Sequence, residues 1–375
     1  VFVRSALLIA ILFVATCAVA QPGDLQIVAL HELWEVGADD DDEVLFGVIS
    51  SIDVDAEGNV YVLDRQLTEV TMFSADGEFI GPVGREGEGP GEFRRIGHVF
   101  VSGPGEIAVM QRMPGKIVCV NTDGTPGGTI ALPDAFSAAP TFFFSGQRAG
   151  DDLVLSARQM QRSEDGVSMT TVLLRIDPDG EEIARYSEKQ EIRNMSSFTV
   201  EEKSNAPVLW TVDAEGNLYL NDEFDAYSIR VYDQSGALVR TIQRDYEHRQ
   251  RSAEEIDENT PRMAIRHRGG GRQQAEGIPS TTDRDIQAMF ARPDGTLWVL
   301  NSRGAFDQPD EILATFDVFD ADGSFLHQIG LKGEGDLSDD GIHLVGDRLF
   351  VLRGLRAAQR AERGDGEEDE DEDED

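Results

Sequence analysis

The sequence predicts an all-β fold: a six-bladed β-propeller of four-stranded antiparallel blades, its ring closed by the N-terminal strand. Three observations lead there. "VDAEGNVYVLD" at 54–64 returns as "VDAEGNLYLND" at 212–222, with weaker copies at 102–111, 149–157, 291–301 and 345–353. Each copy is a tight turn before an apolar run and follows another such run ("VISSIDV", "HVFV", "TFFF", "VLWTV", "IQAMFA", "IHLV"), which makes six hairpins. Five of the six are followed by a second hairpin whose polar turn ends in glycine.

Along the chain, the first feature is Arg4 followed by an apolar run from Ala6 to Val14 and then "ATCAVA". This reads as a signal peptide over 1–20, with cleavage after Ala20 and export to the periplasm or the medium. Cys17 would suit a lipoprotein start, but Thr16 stands where a smaller residue is normally required. With Cys17 removed, Cys119 is the only thiol, so the fold is expected to stand without an intrachain disulfide. Residues 21–356 then form the propeller, with a polar insertion at 244–285, and 357–375 form a disordered acidic tail.

The second hairpins are "VTMFSADGEFIGPVG", "IVCVNTDGTPGGTIAL", "VLLRIDPDGEEIARYS", "IRVYDQSGALVRTIQ" and "FDVFDADGSFLHQIG". Glycine accepts the positive φ of such turns without a steric cost, so each pair of apolar runs folds back on itself. Blade six has only two strands of its own, ending at Arg353. An open edge of that length invites pairing with another chain. "LQIVALHELWEV" at 25–36 is expected to cover it.

"GREGEGPGEF" at 84–93 joins blade one to blade two, and "IGLKGEGDLSDD" at 329–340 joins blade five to blade six. Gly84, Gly87 and Gly89 correspond to Gly330, Gly333 and Gly335. A phosphate loop needs a lysine or a helix start here; Pro90 and three glutamates argue against one. The stretch is a structural connector.

With strands labelled a to d, the b–c and d–a connections share one face. Five of the six b–c connections carry an arginine just behind strand b: Arg65, Arg112, Arg158, Arg303 and Arg353. Blade four has Asp222 and Glu223 instead. Arginine matches carboxylate and phosphate through its planar fork, so these five are candidate ligands for an anion at the channel mouth. Pairing with neighbouring carboxylates is the competing role.

The pattern D-x-x-G-N-hydrophobic-Tyr-Val-x-D, then apolar-Phe-Ser-x-Asp-Gly, then "GREGEGPGEF", resembles exported six-bladed β-propeller proteins related to NHL repeats. The resemblance covers nearly all of 25–355 and falls off in blade three and in the insertion. It implies the fold; members of that broad group mostly lack an established activity. Related six-bladed lactonases bind calcium in the channel through Glu, Asn and Asp, for which Asn221 and Asn301 are single candidates. No cofactor is expected otherwise. The six histidines (His31, His98, His248, His267, His327, His343) show no metal-binding spacing, and no G-x-S-x-G stretch anchors a serine triad.

The net charge is −38, from 71 acidic and 33 basic residues. Ten of those acids lie in the last eleven positions, and the remaining 61 still outnumber the bases. Nucleic acid is therefore excluded as a partner. Beyond the leader, no apolar run reaches membrane length. The sequence thus suggests a monomeric, exported, non-enzymatic binding protein whose partner on the b–c and d–a face is a protein or an anionic small molecule. A channel-centred lactonase- or lyase-type enzyme, with calcium, is the alternative.

Overall fold

The computed structural model describes residues 7–13, 24–37, 44–163, 166–193, 199–261, 264–266, 272–274 and 276–362. Blades one to four are separate antiparallel sheets of four strands, each in sequence order. Their innermost strands are Ile49–Val54, Ile96–Gly103, Thr141–Ala149 and Leu209–Val212. Blade five runs from Ile286–Ala291 to Phe325–Lys332, and blade six begins with Gly341–Val345 and Arg348–Arg353. All five sequence-predicted second hairpins are present as strands c and d of blades one to five.

Ring closure uses two N-terminal strands rather than one. Leu7–Phe13 pairs antiparallel with Arg348–Arg353, and Leu25–Val36 pairs antiparallel with Leu7–Phe13. Leu25–Ala29 also runs parallel to Gln328–Lys332, so blades five and six become one eight-stranded sheet. Blade six lacked two strands, and the apolar stretch read as the leader's core fills the third place, with 25–36 in the fourth. Cys17 lies outside the described residues.

The core is divided the way a propeller requires. Six buried clusters form, one at each blade-to-blade interface. The cluster between blades six and one is sealed by Trp34, which stacks on Phe73 at 6.1 Å, lies against Phe350 and donates its indole N–H to the Ala75 carbonyl. Gly77, with φ +82°, lies beneath that indole, where a Cβ would come within 2.4 Å of it. The N-terminal segment is thereby fixed to the first blade.

The repeated motif has a direct physical explanation. Asp55 Oδ1 accepts the backbone N–H groups of Glu57 and Asn59, while Oδ2 accepts from the Asn59 amide at 2.9 Å and from Tyr61 Oη at 2.8 Å. Asp213, Asn217 and Tyr219 repeat the Asn and Tyr bonds in blade four. One carboxylate closes the turn and satisfies the buried tyrosine hydroxyl.

The connector at 84–93 is a compact turn in which Arg85–Glu86 and Glu92–Phe93 pair in parallel. Positive φ occurs at Gly84 and Gly91, not at Gly87 or Gly89. Gly87 and Gly89 instead make room for the Glu92 carboxylate, which accepts from the Gly89 N–H and from Arg85. In the second copy, Gly330 and Gly333 lie under Ile27 and Leu30 of the N-terminal strand, and Gly335 has φ +147°. Geometry accounts for both copies.

Candidate functional site

The channel wall is polar, but its polar groups tie blade to blade. Ser51 Oγ bonds the Val99 backbone, and Asp53 accepts the Val101 N–H at 2.7 Å, joining blades one and two. His98 ties blade two to both neighbours: Nδ1 meets Ser51 Oγ of blade one at 2.9 Å and Nε2 meets the Gly146 carbonyl of blade three at 2.8 Å. Gln147 makes two bonds to Val212 of blade four. His343 comes from the innermost strand of blade six. Burial pushes His98 down to about 4, and burial first, with the neighbouring His98 second, holds His343 at about 4, so both are neutral at pH 7. Burial likewise raises the Asp53 carboxyl.

The two asparagines considered for calcium are engaged elsewhere. Asn221 donates to the Ala226 and Ser228 carbonyls. Asn301 donates to the fully buried Asp317 and caps the short helix at 302–306 by accepting from Gly304. Among the described residues, no group of three or more His, Cys, Asp or Glu side chains is placed to hold a metal ion.

Of the five candidate arginines, Arg65, Arg112 and Arg303 follow strand b as expected, whereas Arg158 lies within strand b of blade three, which extends to Ser163, and Arg353 is the last residue of strand b of blade six; each has local contacts. Arg65 pairs with Glu362, Arg303 with Glu247 and Asp307, and Arg353 with Asp340 at 2.9 Å. Arg158 donates to Thr171 and lies over the Phe144 ring. Arg112 is held down by desolvation and then by the charge of its neighbour Arg65, and the Nε atoms of both are buried without an acceptor. Arg65 and Arg112 therefore come together, with Glu362 beside them; the other three stay apart in their own blades.

Sequence reasoning missed what covers this face. The two ends of the insertion zip together through Gln250 and Thr282, and Arg251 accepts no freedom there: it pairs with Asp283 and Glu202 at 2.7 Å. Arg249 pairs with Asp283, Glu255 and Asp307. These bonds fix a helix, Ala253–Glu258, started by a capping box between Ser252 and Glu255. A second helix, Leu355–Glu362, begins directly after blade six and reaches Arg65 of blade one. Residues 357–362, read from the sequence as the start of the disordered acidic tail, are instead the last six residues of this helix; 363–375 lie outside the described residues. The "RHRGGGR" stretch at 266–272 lies mostly outside them too.

Between these helices and Gln287, on the innermost strand of blade five, is a cavity of about 140 Å³. Arg251, Glu258, Phe306, Ser338 and Arg356 are among its lining residues. Arg356 Nε donates to the Leu337 carbonyl at 3.3 Å, and its guanidinium is lowered by desolvation first and by Arg360 second. Arg284 was also missed. It fills the place left by the acidic b–c connection of blade four, donating to the Asn221 carbonyl and to Asn221 Oδ1 at 2.6 Å; burial lowers it to about 10. Its only sequence signal is its position just before a strand.

Comparison with known proteins agrees with this architecture. Residues 39–260 match the profile of a family described as a 6-bladed beta-propeller. Among solved structures, the chain is similar to a candidate exported protein of Bacteroides fragilis, at 15% identity over 98% of this chain and 90% of that one, with a TM-score of 0.45. It is also similar to virginiamycin B lyase from Staphylococcus aureus, at 14% identity over 82% and 95% of the two chains, with a TM-score of 0.40. A Bacteroides caccae protein of unknown function has 12% identity over 87% and 94%, again with a TM-score of 0.40. No curated protein matches the chain. Among the described residues, no helix is long and apolar enough to cross a membrane.

Proposed function

The chain belongs to this six-bladed β-propeller family, and from that premise we propose that it is an exported, non-enzymatic binding protein. Its b–c and d–a face takes a ligand or partner that carries an anionic group. The observation that carries this reading is the cavity beneath the two added helices, where the terminal nitrogens of Arg356 have no acceptor among the described residues. A solvent-facing guanidinium fork bordering a polar recess favours an anion, because each charge-assisted bond is stronger than a neutral one. The channel supports no equal case for a calcium-dependent lactonase or lyase, since Asn221 and Asn301 are committed to their own loops.

The test is a ligand-observed NMR screen of the full chain against small carboxylates, amino acids and short acidic peptides. Hits are expected to weaken with Arg356→Gln and to be unaffected by Asp179→Asn, on a turn of the opposite face. They should persist unchanged for hours. Conversion of a hit to product, or indifference to Arg356→Gln, would overturn the reading.

A further inference from the structure

Most charged groups around the cavity are paired, in a network with more carboxylates than guanidinium groups, and the two that are not paired are specific. Arg251 pairs with Glu202 and Asp283, Glu255 with Arg249, and Arg360 meets Asp339 at 3.3 Å. Two groups remain. Arg356 uses only its Nε, toward the Leu337 carbonyl, which leaves Nη1 and Nη2 without acceptors among the described residues. Glu258, at the end of the insertion helix, has no donor among the described residues. Both line the cavity and are exposed to solvent, and they form no ion pair with each other. One uncommitted cation and one uncommitted anion thus border a single recess, with Phe306 offering an apolar surface between polar walls.

A phosphate or other dianion fits this arrangement poorly. It would satisfy Arg356 while bringing two negative charges toward Glu258 and Asp283, a repulsion that grows as water is excluded. A simple carboxylate would leave Glu258 unpaired. A ligand with separated opposite charges and no net charge satisfies both. We propose that this cavity binds a free α-amino acid with an apolar side chain, its carboxylate on the Arg356 fork and its ammonium on Glu258. The proposal rests on the reading that this face binds a ligand, and it names the ligand's class.

Calorimetric titration of the full chain with L-leucine, isocaproate, isoamylamine and inorganic phosphate tests it. Isocaproate lacks the ammonium of leucine, and isoamylamine lacks the carboxylate. Leucine is expected to bind at least about tenfold more tightly than the other three, the size of one charge-assisted bond. Arg356→Gln and Glu258→Gln should each weaken leucine by about tenfold or more, with melting temperatures unchanged. Glu258→Gln should leave isocaproate as it was, and Asp179→Asn, on a turn of the opposite face, should leave leucine as it was. If isocaproate or phosphate matches leucine and ignores Glu258→Gln, the zwitterion assignment is overturned while the binding face stands. If none of the four binds but another compound from the NMR screen does, the assignment is again overturned and the face survives. If nothing binds this face at all, the underlying reading falls with it.

Discussion

Single carboxylates and imidazoles set the local structure of this ring. Asp55 closes a turn through two backbone N–H groups and also holds Asn59 and Tyr61 Oη, whereas Asp233 closes its turn with backbone and Ser235 bonds in the open. Asp55→Ala should therefore cost about 1–3 kcal/mol, because it leaves the buried Tyr61 hydroxyl unpaired, and Asp233→Ala should cost less. Urea unfolding of the two variants measures this; equal losses would refute the role given to Tyr61. The channel histidines predict a pH dependence. His343 is held at about 4 in the fold, below its ordinary 6.5. Above the ordinary value the residue is neutral in both states and contributes nothing to the pH slope. As pH falls from about 6.5 toward 4, the unfolded chain takes up the proton first, so stability drops across that window. The parent's melting temperature should fall more steeply there than that of His343→Gln; parallel curves would contradict the burial of this imidazole. This was not legible beforehand, because nothing in an isolated "IHLV" says which face looks into the channel.

At the scale of elements, what was legible was what repeats. Asp-Gly turns in four blades and a Ser-Gly turn in blade four, each between apolar runs, located all five second hairpins, since turn chemistry and strand alternation are both local. The closure was legible only in part. An apolar run such as 7–13 reads as a leader by composition alone, while its pairing depends on an edge more than three hundred residues away in the chain. Connector glycines were recognised, but the reason at Gly87 is the side chain of Glu92, which spacing cannot reveal. The anchor of the closing segment is Trp34. Trp34→Ala should cost about 3–5 kcal/mol through the lost contacts with Phe73 and Phe350. Hydrogen exchange should show faster opening of 25–36 and of blade one together. Opening confined to 25–36 would mean that the indole does not couple the last blade to the first.

For the whole molecule, the ring and the two helices added to its b–c face follow different logics. The blades come from a periodic pattern, but Glu258, Arg284 and Arg356 belong to non-repeating segments, so no spacing rule brings them to attention. The export reading also has consequences for the ring. A chain starting at Gln21 has one N-terminal strand for two places in blade six. If that chain is the working form, 25–36 must move against Arg348–Arg353, keeping Leu349–Leu352 protected from exchange while 328–332 lose their parallel neighbour. Fast exchange at Leu349–Leu352 in the shortened chain would count against removal of the first twenty residues. The binding face is tested most directly by a crystal structure of the full chain grown with the strongest ligand from the screen. The expected result is ligand density between the helices at 253–258 and 355–362, with its anionic group on Arg356. Density on the channel axis instead, held with a metal ion by side chains from three or more blades, would contradict the account.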